Sequence, residues 1–339
     1  MEILNQTPFT ADRAVFLDKR GAENLVLALK ATYALTDQGP PTVADQQDPI
    51  VPGDEFHGDP ESSSIAQESE LSPMKPATDL FLRGSARTGQ SGVPWVQVGF
   101  HVGNFGTWAT VFGNRVWTPS MGLPAISEPE PVDGIPLIWE NAFGGWDSSP
   151  EKESHHDWEP ANPVGRGFRA KHSELPWEDT PLPNIEDPAD LIQSLGQRVN
   201  PVGFGPVGRH WKPRIDYAGS YDEAWIRNRS PLLPDDFDER FHNAAPPSLI
   251  FPGHMKGGEP ISVTGCTVSG QLGFYLPRLS AGGVVHVRAR EEVVPMKLNS
   301  VTVDTDRMTL NLLWKGGVRI HGEVPHVTRL EYRVQGEGV

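Results

Sequence analysis

The sequence predicts a mainly β fold, an antiparallel β-sandwich or open barrel under a long irregular layer rich in Pro, Gly and Trp, with few short helices. Three observations support this: apolar residues alternate with a period of two in the first third, prolines concentrate in the middle, and strands with short connections return in the last third. Antiparallel strands need only short turns between them. We expect segments 1–117, 118–260 and 261–339 to form one compact domain or two tightly packed ones.

The first third contains the clearest strand patterns. In residues 25–35 every odd position is apolar, which is typical of a half-buried strand. Residues 95–102 alternate in the same way and residues 107–112 return after a Gly-containing turn, which predicts a hairpin. Residues 79–86 are a further strand candidate. Residues 37–76 are acidic and rich in Pro and Ser, which predicts a long exposed loop.

The middle segment has a different composition. Residues 118–260 hold 21 of the 33 prolines, which excludes long helices and strands because proline lacks an N–H and fixes φ. Nine of the ten tryptophans lie between Trp95 and Trp225, whereas disordered segments are poor in aromatic rings. We therefore expect ordered coil packed on the sheets. Short helices are predicted at 187–195, capped by Asp187, and at 222–228.

The last third returns to strand patterns. Strands are predicted at 271–276, 283–289, 292–298, 301–304 and 308–314, with one or two more in 318–334. Residues 305–307 and the run Lys315-Gly316-Gly317 predict turns.

Charge limits the classes of partner. The net charge of -15 disfavours nucleic acids and anionic membranes, which need clustered Lys and Arg. The charge is uneven, because residues 37–79 hold ten acids and one base and residues 278–333 hold six acids and nine bases. Solvated surfaces are the simpler interpretation, and an acidic face that steers a basic partner is the alternative.

Location follows from what the chain lacks. It has no apolar run of membrane-spanning length, and residues 1–10 do not resemble a secretory signal. Its one cysteine, Cys266, cannot form an internal disulfide and is expected to be a small buried apolar residue. We expect a cytoplasmic protein.

The sequence contains no catalytic or metal-binding motif in the structural context that such a motif requires. The GFGPVG run at 203–208 fits G-x-G-x-x-G, but prolines flank it where a strand and a helix are required, so a tight turn is the better interpretation. No G-x-S-x-G, H-E-x-x-H or paired C-x-x-C occurs. His155, His156, Asp157 and Glu159 match no standard ligand spacing. We expect no catalytic residue, no metal and no cofactor.

Carboxylates near aromatic rings leave one enzymatic alternative open. They are Glu140, Asp147, Asp222 and Glu223, close in sequence to Trp139, Trp146 and Trp225. Two convergent acids beside a ring form a glycoside hydrolase cleft, with carboxyls about 5 to 9 Å apart. The simpler interpretation is that these acids cap turns or bind arginines. The alternative function is therefore a carbohydrate-active β enzyme or a lectin-like module.

Seven arginines share this aromatic segment: Arg166, Arg169, Arg209, Arg214, Arg227, Arg229 and Arg240. The planar guanidinium satisfies several acceptors at once, and buried coil needs many such hydrogen bonds. We expect these arginines to hold the coil in place rather than to bind an anion.

Seven segments follow one another in the middle of the chain: IPLIWENAFGG at 135–145, NPVGRGF at 162–168, LPNIEDP at 182–188, PVGFGPVGRHW at 201–211, YAGSYDEAW at 217–225, PLLPDDFDERFHNAAP at 231–246 and GGEP at 257–260. In this order they resemble a bacterial family labelled as a domain of unknown function, and the resemblance spans residues 25–259. Genes of that family lie in type VI secretion clusters. Its members are described as adaptors or chaperones that bind a toxic effector and help to load it onto the secretion spike. The resemblance implies an effector protein and possibly a spike protein as partners, and it supplies no catalytic residue.

Partner contacts are predicted at rings and an arginine of the middle segment, since aromatic residues and arginine are the usual interface anchors. The predicted residues are Trp139, Phe143, Trp146, Arg209, Trp211, Tyr221 and Trp225. Such rings also occur in cores, so their exposure decides between the two interpretations.

Overall fold

The computed structural model describes residues 1–37, 39–320 and 322–336. Strands account for 40% of the residues and helices for 8%, which confirms a mainly β protein. The described strands are, in chain order, β1 (Glu2–Asn5), β2 (Thr10–Leu17), β3 (Glu23–Ala34), β4 (Thr42–Val43), β5 (Glu55–Phe56), β6 (Ile65–Gln67), β7 (Asp79–Arg83), β8 (Ser85–Ala86), β9 (Trp95–Val102), β10 (Phe105–Phe112), β11 (Trp117–Ser120), β12 (Leu123–Ile126), β13 (Ile135–Pro136), β14 (Phe143–Gly144), β15 (Trp146–Asp147), β16 (Asp157–Trp158), β17 (Arg166–Gly167), β18 (Ile185–Glu186), β19 (Pro260–Thr264), β20 (Gln271–Tyr275), β21 (Leu279–Val287), β22 (Arg290–Pro295), β23 (Lys297–Asp304), β24 (Thr309–Arg319) and β25 (Val327–Gly336). Within the described residues, the α-helix is α1 (Glu223–Asn228). Short 3₁₀ turns lie at Trp139–Asn141, Glu153–His155, Arg214–Tyr217, Glu239–His242, Pro247–Leu249 and Val324–His326.

Sheet I contains β2, β3, β24, β23 and β7 in this order, with β4 paired to the end of β3. Its pairs are antiparallel except β23 with β7. The alternation in β3 places Leu27 and Leu29 in the main core. The opposite face of β3 is buried too, because residues 44–76 cover it and bond Lys30 and Thr32. The expectation of a half-buried strand is therefore wrong.

Sheets II and III complete the core. Sheet II has the order β18-β10-β9-β19-β20, and its β9–β10 pair confirms the predicted hairpin. Sheet III has the order β1-β25-β21-β22, with β1 parallel to β25. Leu27, Phe100 and Val285 come from the three sheets and share one fully buried hydrophobic cluster. No sheet formed by the described strands closes into a barrel.

The two ends of the chain build their sheets together. In sheet I, β3 lies against β24 and β7 against β23, while β1 and β25 pair in sheet III. The Tyr332 hydroxyl donates to the Asp12 carbonyl oxygen at 2.6 Å across these segments. The β parts of residues 1–117 and 261–339 are thus interleaved rather than separate.

The middle segment forms an ordered layer on the sheets, as predicted. Trp139, Phe204 and Trp211 belong to the main hydrophobic cluster together with strand residues. A second cluster lies inside the layer itself and contains Phe143 and Phe168. Arginine side chains donate hydrogen bonds to carbonyl oxygens of the irregular layer, as expected. Arg214, for example, donates to the carbonyls of Val207 and Phe241 at 2.9 Å each. These contacts make the layer rigid without long regular elements.

Of the two short helices predicted in the middle segment, one is wrong and one is confirmed. Residues 187–195 do not form a helix. The Asp187 side chain accepts from the Ala189 N–H at 2.8 Å and closes a single turn, after which residues 191–193 are irregular chain. The helix predicted at 222–228 is α1, and Asp222 caps it by accepting from the Trp225 N–H at 2.8 Å.

The turn predicted at Lys315-Gly316-Gly317 is wrong, because β24 continues through it to Arg319. A Cβ on Gly316 would lie 2.7 Å from a Val294 methyl and 2.8 Å from the Pro295 carbonyl oxygen. Glycine is therefore needed here for the close approach of β22, not for a turn.

The loop predicted to be exposed at 37–76 is exposed only in part. It carries β4, β5 and β6, and it buries Ile50, Ser64, Glu68 and Glu70. Two of its acids lie inside because each neutralises a buried lysine: Glu70 pairs with Lys30 of β3, and Glu68 pairs with Lys75 near the end of the same segment.

Candidate partner-binding surface

The seven predicted contact residues separate into buried and exposed groups. Trp139, Phe143 and Trp211 are at most 5% exposed. The Trp139 indole N–H donates to the Pro206 carbonyl at 3.0 Å and its ring meets Trp211 edge-on at 5.9 Å. These three rings hold the irregular layer together and are not on the surface of this structure. The other four predicted residues lie at least partly at the surface.

Trp146 lies on the surface beside Trp158, which is not among the seven predicted contact residues. Residues Trp146 and Trp158 are opposite each other in the two-residue ladder of β15 and β16. Their rings stack at 5.0 Å between centroids with 11° between planes, and they remain 56% and 42% exposed. No sequence pattern predicts this pairing, because nine residues that contain only a short 3₁₀ turn separate the two strands.

A buried carboxylate fixes the ladder under these rings. Asp147 is 1% exposed and accepts hydrogen bonds from the Ser149 hydroxyl at 2.6 Å and the Ala170 N–H at 2.9 Å. Burial alone would raise the pKa of Asp147, but the bonds from Ser149, Ser173 and Ala170 lower it to about 2. The carboxylate is therefore ionised at neutral pH and keeps these loops in one arrangement.

An arginine completes the exposed group. Arg198 forms an ion pair with Asp157 of β16, and its guanidinium lies 4.6 Å from the centre of the Phe168 ring. Phe168 belongs to the second hydrophobic cluster, so the cation rests on a rigid base. We call Trp146, Trp158, Asp157 and Arg198 the tryptophan patch.

Tyr221 and Trp225 form a different aromatic group at α1. Their rings meet edge-on at 4.8 Å, and the Trp225 indole donates to the Leu232 carbonyl at 2.8 Å. Tyr221 is 52% exposed, whereas Trp225 is half-buried. Asp236 and Arg229 line an adjoining cavity of about 250 Å³.

Arg209 contacts a group of buried charged residues that we call the ionic layer, namely Lys30, Glu68, Glu70, Lys75, Asp79, Arg214 and Lys315. It pairs with Asp54 and lies 3.6 Å from Glu68. Glu68 also forms ion pairs with Arg214 and, at 3.1 Å, with Lys75. Burial would raise the pKa of Glu68, but the charges of Lys75 and Arg214 lower it to about 2.

The same layer contains a lysine with an unusual environment. Lys315 is fully buried, and its Nζ donates to the Ser72 hydroxyl at 2.7 Å and carbonyl at 3.0 Å. Burial lowers its pKa to about 7, and the nearby charge of Lys75 acts in the same direction. Lys75 itself lies 2.5 Å from Asp79 and keeps a raised pKa, because Asp79 and Glu68 outweigh the effect of its burial.

The carboxylates of the enzymatic alternative each have a separate local set of bonds. Glu140 accepts from the Ser64 N–H and hydroxyl at 2.7 Å each, Asp147 from Ser149 and Ala170, and Asp222 from the α1 backbone. Glu223 is exposed in the first turn of α1. These bonds match the turn-capping interpretation of the sequence.

The described residues contain no group of three or more His, Cys, Asp or Glu side chains arranged to hold a metal ion. None of their helices has the length and apolar character that crossing a membrane requires. Cys266 is buried as expected, and burial raises the pKa of its thiol to about 12.

Comparison with known proteins identifies a family for this chain. No curated protein and no solved structure matches the chain. A family model described as an uncharacterized protein conserved in bacteria, DUF2169, matches residues 20–315. That range includes the irregular layer, the tryptophan patch and most strands of sheets I and II. The chain therefore belongs to the bacterial DUF2169 family.

Proposed function

We propose that this protein is a cytoplasmic adaptor that binds a type VI secretion effector and assists its loading onto the secretion spike. The observation that carries the proposal is the tryptophan patch, in which two stacked tryptophans are exposed on β15 and β16 and Arg198 is ion-paired to Asp157, the neighbour of Trp158 in β16. Tryptophan and arginine are among the residues most enriched at the energetic centres of protein interfaces. A pair of large rings left half in water is a feature that folding alone does not account for.

The rigidity of the patch supports the same role. Asp147 below the rings and Phe168 below Arg198 hold both in place before any partner arrives. A preorganised surface loses little side-chain entropy on binding, so more of the contact energy appears as affinity. The bacterial family supports the setting of the proposal, and the resemblance in the middle segment supplies its secretion context.

The test is co-purification with the effector encoded beside the gene, followed by titration of the purified pair. Replacing both rings, Trp146→Ala with Trp158→Ala, is expected to weaken binding by about 30-fold or more, since an anchor contributes about 2 kcal/mol. The matched control is Trp95→Ala, because Trp95 is 48% exposed on β9 and lies outside the patch. The control is expected to bind like the wild type.

Two results would count against the proposal in different ways. If the wild-type chain binds neither the neighbouring effector nor the spike protein, the adaptor function is wrong. If it binds the effector and the double variant binds equally well, the adaptor function stands and the patch is not its contact.

Stacked tryptophans also suit sugar rings, so a titration with soluble oligosaccharides is included. Saturable sugar binding without effector binding would favour the lectin-like alternative.

A further inference from the structure

The outer strand of sheet II, β20, is an unprotected edge. Its sequence, Gln-Leu-Gly-Phe-Tyr, contains no charge and no proline. Proteins usually block outer strands with charges, proline or covering segments, because an open edge pairs with other chains. Such blocks occur at the other outer strands: β1 and β18 carry acids, β2 and β22 carry charges of both signs, and β7 is covered through Ile250 and Phe204.

Among the described residues, the hydrogen-bond pattern leaves backbone donors and acceptors of β20 without a partner along this edge. Gly265 donates to the Gly270 carbonyl and Leu276 donates to the Glu259 carbonyl, each at 3.0 Å. Antiparallel pairing alternates, so Leu272 and Phe274 direct their peptide groups to β19. Gly273 and Tyr275 direct theirs away from the sheet. An added strand would find two N–H groups and two carbonyl groups in the right spacing.

Space and apolar contact are also present at the edge. Gly273 and Tyr275 are exposed, and a Cβ on Gly273 would have one contact within 4 Å beyond its chain neighbours, the Ile261 carbonyl oxygen at 3.9 Å, so the sheet face at this position is open as well. Tyr275 is 69% exposed at one end of β20, and Val268 is 75% exposed in the turn before the other end. An extended chain, lying about 4.8 Å from β20, would cover both side chains.

Charge near the edge indicates what kind of strand fits. Arg278 and Lys256 are exposed at the Tyr275 end, where Gly257 and Gly258 lie against Pro277 and Arg278. Within the described residues neither side chain has an ion pair, and the nearby Glu259 carboxylate accepts the Lys256 backbone N–H at 2.8 Å. In a chain of net charge -15, these two exposed cations at one end of an open edge are suited to an acidic residue of a partner.

We propose that β20 is a docking edge that accepts an extended strand of a partner protein, with an acidic residue of that strand beside Arg278 and Lys256. Main-chain hydrogen bonds would give affinity, and Tyr275 and Val268 would select apolar residues at alternate positions. A second copy of this chain fits poorly, because both copies carry -15 and residues 267–271, which would face Arg278 in an antiparallel pair, contain no acid. The inference rests on the proposed adaptor function, with the effector supplying the strand.

The first test is amide hydrogen exchange on the wild-type chain with and without the neighbouring effector. In the free chain the Gly273 and Tyr275 amides should exchange rapidly, while those of Leu272 and Phe274 are protected by β19. Complex formation should slow the Gly273 and Tyr275 amides by about tenfold or more, as new strand hydrogen bonds do.

Variants then separate the backbone contacts from the charge contacts. Gly273→Pro removes one free donor without removing a bond to β19 and should weaken binding about tenfold, while Gly273→Ala, which keeps the donor, should change it less than about twofold. Arg278→Glu should weaken binding about fivefold, whereas Arg20→Glu at an exposed site on the β2–β3 turn should not.

Failure of this inference is distinguishable from failure of the adaptor function. If the complex forms but the Gly273 and Tyr275 amides stay unprotected, the adaptor function stands and the docking edge is wrong, whatever the variants do. If no complex forms, the edge is tested alone by NMR with an eight-residue alternating Thr-Val peptide ending in Asp, at millimolar concentration. Shifts confined to the β20 edge amides would support the docking edge, and unchanged amides would overturn it.

Discussion

The buried Lys315 makes the stability of the protein depend on pH in an unusual direction. Its pKa is about 7 in the folded chain, against 10.5 for an ordinary lysine. Between these two values the unfolded chain binds the proton and the folded chain does not. Stability should therefore rise as the pH rises from 7 towards 10.5, and the full penalty of burying the charge is present below pH 7.

The size of this effect follows from the two pKa values. One pKa unit corresponds to about 1.36 kcal/mol, and integrating the difference in bound protons from pH 7 to pH 9 gives about 2 kcal/mol. Replacing the side chain by methionine keeps its length and removes the titration. The variant also loses the bonds to Ser72, a cost that does not depend on pH in this range.

The assay is urea unfolding of the wild type and Lys315→Met at several pH values from 7 to 9. The free energy of unfolding of the wild type should rise by about 2 kcal/mol relative to the variant over this range. Lys256→Met, at an exposed lysine, should follow the wild type at every pH. If the difference in free energy of unfolding between Lys315→Met and the wild type stays constant from pH 7 to 9, Lys315 titrates like an ordinary lysine and the prediction is wrong.

Two further predictions concern the ionic layer and the packing of the sheets. Glu68→Gln should lower the free energy of unfolding by about 3 to 5 kcal/mol at pH 7, because it leaves Lys75 and Arg214 without their shared partner, while exposed Glu61→Gln should have little effect. The folded pKa of Glu68 is about 2, below its usual 4.5, so the contribution is complete above pH 4.5 and the gap between Glu68→Gln and wild type should narrow as the pH falls towards 2. Gly316→Ala should cost about 1 to 3 kcal/mol, because its Cβ would overlap β22, whereas Gly282→Ala, whose Cβ would lie 3.7 Å from its nearest neighbour, should cost less; equal losses in thermal unfolding would contradict this.

The ionic layer explains why the charge pattern of the sequence was difficult to interpret. Residues 37–79 hold ten acids and one base, which suggested a solvated surface. Glu68, Glu70 and Asp79 are instead buried against cations that lie outside this segment, such as Lys30 and Arg214, or within it, such as Lys75. Local composition gives the number of charges, but only the fold decides which of them meet.

The sequence by itself determined the mainly β class, the β9–β10 hairpin, the α1 cap and the ordered character of the proline-rich layer. These features depend on neighbours in the chain: period-two alternation, turn residues, a capping side chain, and proline beside many rings. Tertiary structure alone decided that Trp139 and Trp211 are core while Trp146 and Trp158 form a surface pair. It also decided that Lys315 continues a buried strand and that β20 is an open edge. Burial and pairing depend on segments that are distant in sequence, and no local pattern records which segment will cover a given side chain.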